Sequence, residues 1–254
     1  MCYNLSAEMQ EALSAGGRDM QGKVSAVAAI ALVLLCVVLS VKDVAVRGRA
    51  WAEAEVTGTA TPVSVLLFAD DFGTYSGRWR ESYSAKSTVA YRDEALWMRV
   101  VSPGVAVWSI PDFQVPMADF SIQVVVRFNA GQPDGQAGIL FDYVDDEHFA
   151  AVLLSAEGRL QVLARDGEQW QELATQDEQG SSVPFGEPVL LQMDWISNEE
   201  EVSLDLTVGG DSVTEFILPT GRRGRAFGLI ARAGRGYIDV SFDDVLVMAQ
   251  HGGK

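Results

Sequence analysis

Two hydrophobic patterns divide the chain. Val24 to Val41 reads VSAVAAIALVLLCVVLSV, eighteen residues without a charge, held between Lys23 and Lys42. A helix of that length spans about 27 Å, close to the ~30 Å hydrocarbon core of a bilayer. Eleven of its members are Leu, Ile or Val, each favourable at mid-membrane by roughly 0.3–0.6 kcal/mol. The run predicts one transmembrane helix over residues 24–41. Leu35 before Cys36 does not suit a lipidation site, and the small-x-small triplet Ala50-Trp51-Ala52 lies too far downstream for signal cleavage. An uncleaved anchor is therefore expected, with residues 1–23 as a short cytoplasmic tail. Residues 42–64, containing Gly, Thr, Ala and Pro62, read as a stalk.

The second pattern begins at Val65 and has a period of two. Ala95-Leu96-Trp97-Met98-Arg99-Val100 alternates, as do Phe120–Val124, Arg159–Leu163, Val202–Val208 and Tyr237–Phe242. Alternation of this kind predicts strands with one buried face and one wet face. Turn clusters separate them: Gln132-Pro133-Asp134-Gly135, Ala156-Glu157-Gly158, Asp166-Gly167, Gly209-Gly210-Asp211 and Gly234-Arg235-Gly236. About twelve short strands at this spacing predict an all-β sandwich or barrel over residues 65–249, with 250–254 as a tail.

Charge narrows the partners. Residues 1–50 hold five basic and four acidic side chains, so the remainder carries fourteen basic against thirty-one acidic, a net of −17. Such a field repels phosphate backbones and excludes nucleic acid as a partner. Basic residues flank the apolar run as Arg18 and Lys23 on one side and Lys42, Arg47 and Arg49 on the other. Counted alone, these would slightly favour the domain on the inside; its acidic character favours the outside. Both cysteines, Cys2 and Cys36, precede residue 50, so the β domain has neither a disulfide nor a thiol nucleophile.

Phe68-Ala69-Asp70-Asp71-Phe72 near the start of the β region and Val240-Ser241-Phe242-Asp243-Asp244-Val245 near its end resemble motifs of bacterial concanavalin A-like, laminin G-like jelly-roll domains. Phe68-Ala69-Asp70-Asp71-Phe72 followed by Trp79 resembles the opening strand of such modules, and Ala106-Val107-Trp108-Ser109 with Asp119-Phe120 the next pair. Ala137-Gly138-Ile139-Leu140-Phe141 with Asp145-Asp146-Glu147-His148-Phe149 resembles a central hairpin. Ala226–Ala231 and Val240-Ser241-Phe242-Asp243-Asp244-Val245 resemble the closing strands. The resemblance implies a two-sheet antiparallel jelly roll whose first and last strands are neighbours, with Phe72 and Phe242 sharing a core. It also places the domain outside the cytoplasm.

The same resemblance implies candidate sites. Related modules often hold a structural calcium where the terminal strands meet, which points to Asp70, Asp71, Asp243 and Asp244 as oxygen ligands. Enzymatic relatives carry a run of the Glu-x-Asp-x-Glu kind on one strand, supplying nucleophile and acid/base. No such run occurs in this chain, so no catalytic residue is named. His148 is read as part of a solvated turn. Glycan binding needs aromatic platforms beside polar groups, and Trp97, Arg99, Asp142, Tyr143 and Trp170 are the candidates. Trp97 and Arg99 share the face opposite Leu96, Met98 and Val100. Around Asp142, either the acid or its neighbours Phe141 and Tyr143 face outward. Trp79 and Trp108 are read as scaffold. The expected function is membrane-anchored recognition of a glycan or other surface polymer. A structural, protein-binding subunit and a carbohydrate-active hydrolase are the alternatives.

Overall fold

The computed structural model describes residues 64–115, 119–177, 182–197, 201–219 and 224–250. The expected transmembrane helix over 24–41, the tail and the stalk lie outside them. Among the described residues no helix is long and apolar enough to cross a membrane.

Fifteen strands make up the described domain. In chain order they are β1 (Ser64–Asp70), β2 (Ser82–Tyr83), β3 (Ser87–Arg92), β4 (Ala95–Val100) and β5 (Ala106–Ser109). Next come β6 (Phe120–Gly131), β7 (Gln136–Asp145), β8 (His148–Ser155), β9 (Arg159–Asp166) and β10 (Gln169–Asp177). The last are β11 (Pro188–Ser197), β12 (Glu201–Val208), β13 (Asp211–Pro219), β14 (Ala226–Arg232) and β15 (Ile238–Gln250). A nine-stranded antiparallel sheet follows the order β13-β12-β11-β6-β15-β4-β3-β2, with β1 also on β15; a six-stranded sheet runs β10-β9-β8-β7-β14-β5. The described domain is an all-β, two-sheet sandwich. It has more strands than the dozen expected; the two-residue β2 is too short to show alternation.

The terminal strands do meet. β1 pairs antiparallel with the second half of β15, Asp70 opposite Val245, while β4 pairs with its first half, Phe242 opposite Leu96. The two halves are separated by an irregularity between Asp243 and Leu246, where Asp244 adopts a φ of 48°. Phe72 and Phe242 lie in one buried cluster, as the terminal motifs predict. That cluster takes Leu96, Met98 and Val100 from β4, Ile122, Val124 and Val126 from β6, and Val152, Leu154, Phe141 and Phe227 from the opposing sheet. Each such side chain contributes roughly 1.5–3 kcal/mol on burial, which is how a domain without disulfides holds its sheets together. The β12–β13 hairpin turns at Gly209 and Gly210, whose φ values of 63° and 94° only a residue without Cβ adopts at little cost.

The Asp-Asp-Phe motif is a local scaffold. The Asp70 carboxylate is buried and accepts from Phe72 N at 3.0 Å, Ser76 Oγ at 3.0 Å and Trp79 Nε1 at 3.2 Å. The Tyr91 hydroxyl accepts from Trp79 N at 3.3 Å and shares a hydrogen bond with Ser76 Oγ. Trp79 is core, 2% exposed, and meets Phe68, Phe72 and Phe227 edge-on or tilted. The reading of Trp79 as scaffold holds.

Candidate functional site

The six-stranded sheet carries a second apolar layer on its outward face. Leu140 of β7, Ala151 and Leu153 of β8, Leu163 of β9 and Ile230 of β14 all point away from the sandwich core, yet none is more than 4% exposed. Register explains the cluster: Ile230 lies opposite Gly138, Gly138 opposite Leu153, Leu140 opposite Ala151 and Ala151 opposite Leu163. Gly138 belongs there because any Cβ would collide with the Val152 carbonyl oxygen.

Half-buried aromatic and charged side chains roof this floor. Phe149, Arg165 and Trp170 are direct neighbours across β8, β9 and β10. Phe149 packs 5.0 Å from Trp108, 5.5 Å from Trp170 and 6.1 Å from Tyr143 between ring centroids. The Arg165 guanidinium carbon sits 5.2 Å from the Trp108 ring, 5.6 Å from Trp170 and 6.0 Å from Phe149. Arg232 approaches the other flank of this group, 5.7 Å from the Trp170 ring. Cation–π contacts of this kind strengthen as water is excluded.

A polar chain borders the aromatic group. Arg232 Nη1 donates to Gln136 Oε1 at 2.8 Å, Gln136 Nε2 donates to Gln161 Oε1, and Gln161 Nε2 donates to Glu172 Oε2. Glu172 also pairs with Arg159 at 3.8 Å. Both glutamines are buried, so each amide is fixed in orientation by its neighbours. Burial lowers the Arg232 guanidinium from its ordinary value.

At the β5 edge of the same face a cavity of 330 Å³ opens between Arg80, Ser82, Ile110, Trp108, Tyr143 and Asp146. Asp146 Oδ1 accepts from Trp108 Nε1 at 3.1 Å and from the Tyr143 hydroxyl at 2.8 Å. Burial, and then the Asp146 carboxylate, push the Tyr143 phenol up to about 12, so at neutral pH it remains a donor.

The residues predicted from the sequence separate onto two faces. Tyr143 and Trp170 belong to the aromatic face just described. Trp97 and Arg99 point outward from the nine-stranded sheet, on the side opposite Leu96, Met98 and Val100. There Trp97 Nε1 donates to Asp239 at 2.7 Å, Asn129 Nδ2 donates to the same oxygen at 3.2 Å, and Arg92 stacks 5.2 Å over the indole. These residues, with Arg127, Ser241 and Asp243, line a cavity of 400 Å³. Asp142 faces neither way as simple alternation requires. Phe141 is core and Tyr143 is outward, because Asp142 takes a φ of 51° at an irregularity in β7 and accepts from the Gly224 backbone N–H. Both alternatives offered by a period of two therefore fail at this residue.

Trp108 lies outside the main core and packs against the second buried cluster. Val107 and Ser109 are the buried pair of β5, which turns the indole outward. Alternation in Val107-Trp108-Ser109 carries that signal. Nothing local marks Arg165 or Arg232, because their shared tryptophan lies on another strand. His148 begins β8 rather than sitting in a turn, with Nδ1 2.7 Å from Asp145 and Nε2 3.5 Å from Asp166.

The four terminal aspartates do not form a ready cation cage. Asp70 spends its oxygens on three donors, Asp71 accepts from Gly73 N at 3.1 Å, and Asp243 accepts from Asp244 N at 2.8 Å. Among the described residues no three His, Cys, Asp or Glu side chains converge to hold a metal ion. Desolvation, with Asp244 and Asp71 nearby, raises the Asp243 carboxyl above the usual range.

No protein-family model matches this sequence, and no curated protein matches it. Solved structures match in fold. The carbohydrate-binding module CBM66 from Bacillus subtilis aligns over 66% of this chain and 92% of its own, at 13% identity and a TM-score of 0.51. A galectin-like-fold protein of unknown function from Bacillus subtilis aligns over 75% of this chain and 100% of its own, at 12% identity and a TM-score of 0.52. The exoplasmic/lumenal domain of VIP36, solved in a Ca2+/Man3GlcNAc-bound form, aligns over 75% and 92%, at 9% identity and a TM-score of 0.52. At these identities the likeness speaks to architecture alone, and the described domain shares the two-sheet jelly-roll fold of these structures.

Proposed function

We propose that the chain is a non-catalytic glycan-recognition protein, with the outward face of its six-stranded sheet as the binding platform. The single observation behind this reading is the roof of half-buried Trp108, Tyr143 and Trp170 over an apolar floor, bordered by fixed amides and guanidinium groups. Sugar rings present apolar C–H faces that stack on indoles and hydroxyls that need oriented polar partners, and this face offers both. A protein-binding subunit would favour a flat, dry apolar patch; here cavities and hydrogen-bonding groups interrupt the apolar surface. The acids on the face act as acceptors: Asp146 holds Trp108 and Tyr143, and Glu172 holds Gln161 and Arg159. The fold shared with CBM66 and VIP36 supports the same reading. In it, residues 24–41 anchor the chain in a membrane and the domain faces the extracytoplasmic side.

The test is a glycan array followed by polysaccharide retardation on the full chain in mild detergent, with calcium and with chelator. Saturable binding that Trp170→Ala abolishes is expected. A blank across neutral and charged glycans would sink the proposal. The Asp71 and Asp243 carboxylates each accept a backbone N–H, from Gly73 and Asp244, and among the described residues no three acidic, His or Cys side chains converge to hold a metal ion. Chelator is therefore expected to leave the melting temperature unchanged, and a fall of several degrees restored by calcium would reverse that expectation.

A further inference from the structure

Resting on the glycan-binding reading, the geometry points to a saccharide bearing a carboxylate as the ligand of the aromatic face, with Arg165 and Arg232 as its anion contacts. Beyond residue 50 there are thirty-one acidic side chains for fourteen basic ones, and some of the arginines on this surface find a carboxylate. Arg80, Arg92, Arg159 and Arg235 do, at 4.0, 3.0, 3.8 and 2.8 Å from Asp146, Asp93, Glu172 and Asp134. Arg165 and Arg232 do not, and neither do Arg78, Arg99, Arg127 and Arg225: among the described residues none of these has a carboxylate within 4.0 Å. Arg165 and Arg232 instead approach one ring, Trp170, at 5.6 and 5.7 Å.

Two guanidinium groups against one indole repel each other, and Arg232 is half-buried without a counter-charge, an arrangement that costs free energy. Their protein hydrogen bonds are few. Arg165 donates through Nε to the Gly167 carbonyl at 3.0 Å, and Arg232 through Nη1 to Gln136. Stacking uses the guanidinium face and leaves in-plane N–H groups available, and that edge matches a carboxylate fork to fork. A sugar ring lying on Trp170 or Trp108 would carry its carboxylate to this edge while its C–H face covers the indole. Nearby acids are occupied: Glu172 by Arg159 and Gln161, Asp146 by Trp108 and Tyr143, Asp166 by His148. The domain's net negative field opposes a long polyanion. Isolated acidic sugars, at a chain end or along a neutral polymer, fit better.

The experiment uses the full chain in mild detergent and isothermal titration with uronic-acid-bearing and sialylated oligosaccharides. Each is paired with its carboxyl-reduced neutral counterpart, so the test needs no variant. At least one acidic member is expected to bind ten-fold or more tightly than its neutral twin. Arg165→Gln and Arg232→Gln should each reduce that ratio toward one, and Arg232→Lys should restore little, since it keeps charge but loses the fork. Equal affinity within pairs, or a preference for the neutral members, would overturn the proposal and leave glycan recognition standing. Failure to bind any glycan, acidic or neutral, would remove both.

Discussion

The two sheets present opposite characters to solvent. The outward face of the nine-stranded sheet is built from Gln123, Gln192, Asp194, Ser203, Asp205, Thr207 and Glu215, joined by side-chain hydrogen bonds such as Gln123 to Gln192 at 2.9 Å and Ser203 to Glu215 at 2.7 Å. This is the ordinary outcome for an antiparallel sheet with one wet face. The six-stranded sheet breaks the rule. Its strand β8 is buried along nearly its whole length, inward through Ala150, Val152 and Leu154 and outward through Phe149, Ala151 and Leu153. An outer apolar layer does nothing to join the two sheets. Under the proposed function it is a foundation that holds tryptophans and arginines at fixed heights for a ligand, and the contrast is between a structural face and a proposed recognition face.

The largest test of that contrast is mechanical. Leu153→Ala, on the outward face of β8, should destabilise the domain by about 2–5 kcal/mol, as a core substitution does. Gln192→Ala, outward on β11, should cost about 1 kcal/mol or less, the worth of a partly exposed hydrogen bond. Urea unfolding followed by tryptophan fluorescence would read both. Similar midpoints for the two variants would mean that the outward layer is not a second core.

Binding should separate the faces next. Once a glycan ligand is in hand, Trp170→Ala or Trp108→Ala should cost about 2 kcal/mol or more, roughly thirty-fold in affinity. Trp97→Ala should leave affinity within about two-fold by the same scale, since its indole is held by Asp239 and Arg92 on the other sheet. Loss of binding in Trp97→Ala with Trp170→Ala intact would transfer the site to the nine-stranded face and its 400 Å³ cavity.

The contrast also marks how far the sequence could be read. Strands with one wet face were legible: alternation in Ala95–Val100 and Val202–Val208 assigns inward and outward residues as the structure places them. The pairing of the first and last strands followed from the resemblance carried by the Asp70-Asp71-Phe72 and Phe242-Asp243-Asp244 motifs, not from alternation. The recognition face was legible only in fragments. Phe149-Ala150-Ala151-Val152-Leu153-Leu154 has no period, because both of its sides are buried. Alternation through Phe141-Asp142-Tyr143 breaks at one positive-φ aspartate. The face itself is assembled from β5, β7 through β10 and β14, so Arg165, Arg232 and Trp108 meet only through register between strands distant in sequence. The proposed anchor at residues 24–41 lies outside the described residues and rests on its apolar length.

The smallest effect belongs to the wet face, where like charges oppose one another. Asp194, Asp205 and Glu215 are direct cross-strand partners on β11, β12 and β13. Burial first, then Glu215 and Asp194, raise the Asp205 carboxyl above its usual range, against a hydrogen bond from Ser203. A folded-state pKa above the unfolded one means the native state holds this proton more firmly. Ionisation of Asp205 as pH rises therefore costs stability, and protonation as pH falls through the raised value returns it. Asp205→Asn should be more stable than the parent at pH 7, by less than about 1 kcal/mol because water screens the pair. The advantage should shrink as pH falls through the raised value and vanish below the ordinary aspartate range, where Asp205 is neutral in both states. Thermal melts of parent and variant between pH 3 and 8, at low salt, would follow the difference. A gap that stays constant with pH, or a variant less stable at pH 7, would show that the row is not under electrostatic strain. The wet face would then be as relaxed as its hydrogen bonds suggest, and its contrast with the recognition face would rest on apolar burial alone.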